Sequence, residues 1–221
     1  MEATEAGLRR GTSAPPRAEL IRVDLHLHSR YSPDSRTSLE ALVRRAAEVG
    51  LDRIALTDHN TADGALALRR LAPGLAIVGE EVRTAEGEII GLFIDATIAP
   101  GARPEEVCDL VHAMGGLTYA CHPLDRRRAA FTPERLVELA PRLDIIETYN
   151  SWADPGANRA AAELCRQLGR VPAAGSDAHA AHELGRCWME MEAYDGAADF
   201  LDKLRGARHV VNTPTGLGRR A

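Results

Sequence analysis

The sequence predicts an α/β fold whose parallel sheet closes into a barrel, and three observations carry that prediction. Short apolar runs alternate with amphipathic helical patterns along most of the 221 residues, an order that calls for a parallel sheet covered by helices. The number of units favours a barrel over an open sheet. Histidines and carboxylates stand at the ends of the apolar runs, and in a parallel barrel those ends meet on one rim.

Residues 1–19 are rich in Ala, Glu, Arg, Gly and Pro without periodicity and read as a flexible arm. Residues 20–211 read as one barrel domain and 212–221 as a C-terminal tail. The expected strands are IRVDLHLH (21–28), RIALTDH (53–59), LAIVGEEV (75–82), EIIGLFID (88–95) and LTYACHP (117–123). After them come LDIIETYN (143–150), VPAAGSD (171–177), CWMEMEA (187–193) and RHVVN (208–212).

Helix start signals lie between them. Thr37-Ser38-Leu39-Glu40 fits a capping box, and Arg103-Pro104, Thr132-Pro133 and Asp154-Pro155 place proline at a first helical position. Gly50 and Gly169 sit where helices should stop. GEEVRTAEGEII (79–90) breaks the alternation, because two strands separated by Thr-Ala-Glu-Gly make an inserted hairpin.

Composition narrows the function classes. The chain is 45% hydrophobic and 27% charged, with a net charge of −5, which gives no general attraction to nucleic acid or anionic lipid. No apolar run approaches the roughly 20 residues of a membrane span and the start is polar, so a cytoplasmic protein without membrane partners is expected. Cys108, Cys121, Cys165 and Cys187 are widely spaced and read as free, buried thiols. Lys203 is the sole lysine, which leaves a Schiff-base or phosphate-loop lysine without a suitable candidate.

The polar residues at strand ends carry the chemistry. In DLHLHS (24–29), His26 and His28 are two apart and share one face of an extended chain, as do Asp177 and His179 in GSDAH. Asp58-His59, Glu80-Glu81, His122, Glu147 and Asn150 occupy corresponding ends. Burying so many imidazoles and carboxylates together without a cation stacks like charges at several kcal/mol each. Nitrogen and oxygen donors without thiolate suit Mn, Fe or Zn, and their number exceeds the needs of one tetrahedral ion, so two or three divalent ions are implied. Asp58 and His59 are neighbours and cannot both face inward; His59 is assigned to metal and Asp58 to a hydrogen bond that orients a neighbour.

DLHLHS, LTDHN, GEEV, CHP and GSDAH, in this order, resemble the signatures of the PHP (polymerase and histidinol phosphatase) family over residues 21–211. The resemblance implies a distorted (βα)7 TIM-like barrel, a trinuclear metal site and hydrolysis of phosphate esters. It assigns one ion to His26, His28, Glu81 and Asp177, a second to Glu81, Glu88 and His122, and a third to Asp34, His59 and His179. Glu88 departs from the family, many members having histidine there. Asp34 could instead cap a helix, and Glu88 could be a solvated strand start.

The expected activity is hydrolysis of a phosphate monoester, a small phosphorylated metabolite or nucleotide, by a metal-activated hydroxide. Asp58 is the candidate proton handler, with His179 as the other catalytic residue. Arg126, Arg127 and Arg128 follow the HP motif and read either as a solvated run or as a clamp for substrate phosphate. Asn150 is a substrate-binding candidate, although it and Glu147 could equally satisfy loop backbone groups. His112, His182 and His209 match no motif, and Trp152 reads as a packing residue. Aromatic residues make up only 4%, so a stacking platform and a long nucleic-acid partner are not expected. The alternatives are a phosphodiesterase or exonuclease-like hydrolase on short nucleotides, and a metal-containing module that binds a ligand without turning it over.

Overall fold

The structure is a computed structural model and describes residues 20–212. The expected arm, 1–19, and all of the expected tail except Asn212 lie outside the described residues. Nine strands form one sheet: β1 (Leu20–Leu27), β2 (Arg53–Leu56), β3 (Ala76–Arg83), β4 (Glu88–Leu92), β5 (Leu117–Ala120), β6 (Ile145–Asn150), β7 (Val171–Gly175), β8 (Cys187–Glu192) and β9 (Arg208–Val211). The order across the sheet is β7-β6-β5-β4-β3-β2-β1-β8-β9. Each expected strand has its counterpart.

The sheet is barrel-like rather than a regular (βα)7 barrel. β1 to β3 pair in parallel, as do β5 to β7, but β4 runs antiparallel between β3 and β5, and β8 and β9 are antiparallel additions beside β1. β3 and β4 form the inserted hairpin, turned at Thr84, whose N–H and hydroxyl both donate to the Gly87 carbonyl. Six α-helices accompany nine strands: α1 (Leu39–Val49), α2 (Asp63–Leu71), α3 (Pro104–Ala113), α4 (Pro133–Leu139), α5 (Pro155–Leu168) and α6 (Gly196–Leu204). Only a short 3-10 turn, Ala181–Glu183, lies between β7 and β8. No helix among the described residues is long and apolar enough to cross a membrane.

The caps explain the helix boundaries. Thr132 Oγ1 accepts from Arg135 N and Asp154 Oδ1 from Gly156 N, each just before the proline that opens its helix. Gly50 and Gly169 end α1 and α5 with φ of 70° and 62°, a region closed to most side chains. The box expected from Thr37 is absent. Ser38 caps α1 by accepting from Ala41 N, while Thr37 Oγ1 donates to the carbonyl of His179, tying the helix entrance to the site rim.

Alternation along the strands sorts the core into two clusters. Ile54, Leu56, Val78 and Ile146 pack with helix residues such as Leu42, Leu68, Val107 and Leu136. Their chain neighbours Ala55, Ile77 and Ile145 face the other way, with Leu25, Tyr119 and Phe200. The two arms of the sheet meet where β7 ends against β1. Asp177 N donates to the His26 carbonyl at 2.7 Å, His28 N to the Ala178 carbonyl at 2.8 Å and Ser176 N to Asp24 Oδ1 at 2.9 Å. Nearly closed in this way, the sheet brings its strand ends to one rim.

Candidate metal centre

Six strands deliver donors to that rim. β1 carries His26 and leads to His28, β2 leads to His59, β3 carries Glu81, β5 leads to His122 and β7 to Asp177 and His179. Glu88 opens β4, and because β4 is antiparallel to β3 its first residue lies at the rim where β3 ends. All nine residues expected to bind metal fall into four overlapping groups whose donor atoms lie within 4.8 Å of one another. The groups are His26, His28 and Asp177; His26, Glu81 and His122; His59, Glu81 and Glu88; and His28, Asp34, His59 and His179. Glu88 groups with His59 and Glu81, and its Oε2 also stands 3.9 Å from His122 Nε2, the partner expected for it.

Glu81 is the shared centre. Its Oε2 is 3.3 Å from Nε2 of His26, Nε2 of His28 and Nδ1 of His59, and its Oε1 is 2.8 Å from His122 Nε2. The His26 and His28 Nε2 atoms also face each other at 3.3 Å, with Asp177 Oδ1 at 3.5 and 3.2 Å. Lone-pair-bearing nitrogen and oxygen atoms converge on one another in a buried space, a donor set that suits divalent cations of borderline or hard character. The residues present fit the implied ions.

Charge sharpens the fit. Burial alone pushes the Glu81 carboxyl up, but the His26 and His122 imidazoles beside it hold it well below the usual carboxylate range. Burial disfavours the His26 imidazolium, yet Asp177, Glu147 and Glu81 together raise its pKa well above the ordinary value. His28, with His26⁺ for a neighbour, is driven down mainly by burial. Glu88 is pushed up, first by burial and then by the Glu81 charge. His122 and Asp177 both have left-handed backbones, φ 29° and 52°, which turn the chain sharply at the ends of β5 and β7.

Groups behind the donors hold them in place. Glu147, buried in the apolar run of β6, accepts from His122 N (2.6 Å), Tyr119 Oη (2.8 Å) and Asn150 Nδ2 (3.0 Å), and faces His26 Nδ1 at 3.0 Å. The expectation that Glu147 satisfies loop backbone covers only the first of these contacts. A carboxylate between Ile146 and Thr148 in a buried strand is the signal for the rest. Asp58 is held by Ser29, whose N–H and hydroxyl donate to its two oxygens at 2.6 and 2.8 Å, and it belongs to none of the four groups.

Two of the expected substrate-binding residues make contacts within the fold. Asn150 is 1% exposed and its amide is consumed internally: Nδ2 donates to Glu147 and Asp177, and Oδ1 accepts from Trp152 N and Ala153 N. Arg127 braces the loop through Asp125 and the Trp152 carbonyl. Arg128 Nη2, by contrast, lies 3.0 Å from Asp177 Oδ2 at the edge of the cluster. His179 Nε2 is 3.1 Å from Asp34 Oδ2, on the more open side.

An α/β barrel-like sheet that gathers imidazoles and carboxylates at one rim defines a class of metal-dependent proteins. Residues 24–141 match the PHP domain family and residues 155–208 the PHP-associated family. The chain belongs to the PHP family. An uncharacterized protein of Methanocaldococcus jannaschii is 33% identical over 149 residues, 62% of this chain and 85% of that protein. The phosphoribosyl 1,2-cyclic phosphate 1,2-diphosphodiesterase of Eggerthella lenta is 33% identical over 133 residues, 55% of this chain and 45% of its own length. A two-domain protein of Bacteroides vulgatus, described as containing a predicted PHP-like metal-dependent phosphoesterase, shares the fold with a TM-score of 0.71 at 20% identity. That match covers 94% of this chain and 70% of the other.

Proposed function

We propose that the chain hydrolyses a phosphate monoester, a small phosphorylated metabolite or nucleotide, with two or three divalent ions held by His26, His28, Asp34, His59, Glu81, Glu88, His122, Asp177 and His179. The observation that carries this reading is the convergence of three imidazole Nε2 atoms on Glu81, two of them shared with the Asp177 carboxylate, in a buried space with a guanidinium at its edge. When bound, such ions polarise phosphoryl oxygens and lower the pKa of the attacking water.

The chain's own residues prepare that chemistry. Glu147 takes the Nδ1–H of His26 and so keeps Nε2 aimed at Glu81 and Asp177. Asn150 and Arg128 occupy Asp177 Oδ2, leaving Oδ1 toward the imidazoles. Arg128 is the arginine assigned to meet a phosphoryl oxygen, and His179, whose Nδ1–H donates to the Asp177 carbonyl, offers Nε2 beside Asp34 on the open side of the cluster. Asp58, bound on both oxygens by Ser29, is assigned to shaping the His28–Ser29 backbone rather than to proton transfer. A covalent thiol route finds no support, since burial pushes the Cys121 thiol well above its ordinary pKa and its Sγ points at Glu81.

The test compares phosphate release from a model monoester by chelator-stripped protein and by protein reloaded with manganese. Reloading should restore the rate; equal rates would end this reading. A phosphodiesterase function is the second reading, favoured by the likeness to the Eggerthella lenta diesterase. Faster turnover of a cyclic phosphodiester than of the corresponding monoester would select it.

A further inference from the structure

A cavity of about 600 Å³ opens beside the donor cluster, between the loop after β5, the start of α4 and the flank of α5. Leu124, Phe131 and Ala160 give it apolar walls, Arg126 and Arg128 give it positive charge, and Glu134 is the one carboxylate on its lining. Two contacts join it to the cluster. Arg128 Nη2 lies 3.0 Å from Asp177 Oδ2, and the Phe131 ring covers Gly87, the residue before Glu88, so closely that a Cβ there would stand 2.8 Å from the ring.

The three successive arginines divide their work through one buried carboxylate. Asp125 accepts from Arg127 N, Nε and Nη2, each at 3.1 Å, and from Asp154 N at 3.2 Å. Its own N–H donates to the His122 carbonyl, and its carbonyl accepts from Arg128 N. This turn removes Arg127 from the cavity and presents Arg126 and Arg128 to it. Arg126 makes no hydrogen bond or ion pair among the described residues.

We propose that this cavity binds the leaving alcohol of the ester, and that this alcohol has a flat apolar body and carries an anionic substituent of its own. The inference rests on the monoester reading above. The volume falls within the range of small-molecule sites, roughly 300–1,000 Å³. An unpaired guanidinium at the edge of apolar walls favours an anion over a neutral or cationic group, and its planar fork suits carboxylate or phosphate. Arg128 then stands between the two ends of the substrate, beside the reacting phosphoryl group.

The test uses manganese-loaded full chain and two non-hydrolysable probes, benzylphosphonate and 4-carboxybenzylphosphonate, titrated calorimetrically. The carboxylated probe should bind at least tenfold tighter to wild type. Arg126→Glu should bring the affinity ratio to one or below, and Ala160→Trp, at an exposed helix position, should weaken both probes relative to methylphosphonate. Circular dichroism checks the fold of each variant. Equal binding of the two benzyl probes, no binding of either, or a ratio unmoved by Arg126→Glu overturns the inference. Turnover of phenyl phosphate and 4-carboxyphenyl phosphate is read in parallel. Probe preference without turnover sinks the monoester reading and keeps the cavity assignment, whereas turnover without preference does the reverse.

Discussion

Gly175 on β7 stands so close to His26 on β1 that a Cβ built on the glycine would overlap the His26 Cβ and lie 2.7 Å from Glu147 Oε1. The two strands share no regular ladder, so this approach and a few bonds beyond it complete the closure of the sheet. A methyl group here has no flexible side chain to push aside. Gly175→Ala should lower stability in urea melts by about 2–3 kcal/mol, the upper range for overpacking. It should also reduce the manganese retained after dialysis. Wild-type values for both would show that the seam relaxes at that point.

Among the described residues, Glu147 is the one carboxylate that touches His26, His122, Tyr119 and Asn150 together. Glu147→Gln keeps the shape but offers an amide where His26 Nδ1–H, His122 N–H and Tyr119 O–H all need acceptors. Loss of such a supporting group typically costs 10–100-fold in metal affinity. Competition with a chromophoric chelator should show a loss of that size, while circular dichroism stays native.

The strands were legible because each is a short apolar run ending in turn residues or donors, and the donors because side chains two apart on a strand share a face. What stayed hidden is long-range. The Thr-Ala-Glu-Gly turn announces β4 as antiparallel to β3, but nothing within EIIGL states that its other edge pairs antiparallel with β5, since that depends on partners such as Thr118 and Tyr119. For Asn150 the sequence leaves a substrate contact and an internal role equally open, because its amide can serve either purpose; folding brings Glu147, Asp177 and the Trp152 N–H to it. The division among Arg126, Arg127 and Arg128 follows from Asp125, whose burial no local pattern reveals.

Ion uptake should be coupled to proton release. Asp177, Glu147 and Glu81 raise the His26 pKa well above its ordinary value against the pull of burial, and Glu81 raises that of His122 against the same pull. Both imidazoles must shed a proton to offer a lone pair to a cation. Calorimetric titration with manganese near pH 7, repeated in buffers of different ionisation enthalpy, should show net release of protons, and affinity should fall as the pH is lowered. At about 100 times Kd, the ion should stabilise the fold by about 2.7 kcal/mol. A buffer-independent heat would contradict the protonation assigned to these imidazoles.

Glu80 provides a pH test away from the donor cluster. It is fully buried on β3, accepts from Ile98 N at 2.8 Å through Oε2, and has no partner for Oε1 among the described residues. Burial, aided by the Asp63 charge, pushes its carboxyl from 4.5 up to about 7. The folded state therefore holds the proton more tightly than the unfolded chain between these two values. Stability linked to this group is fully present below 4.5, declines as pH rises from 4.5 to 7, and is lost above 7. Glu80→Gln can keep an acceptor for Ile98 N–H and carries no charge at any pH. Thermal melts should place the variant near wild type at pH 4.5 and progressively above it up to pH 7. The gap should then stay constant at on the order of 3 kcal/mol, the free-energy equivalent of the shift. A gap that does not change with pH would mean that the carboxyl ionises in the fold at its ordinary value, and that its burial is relieved by a contact other than Ile98.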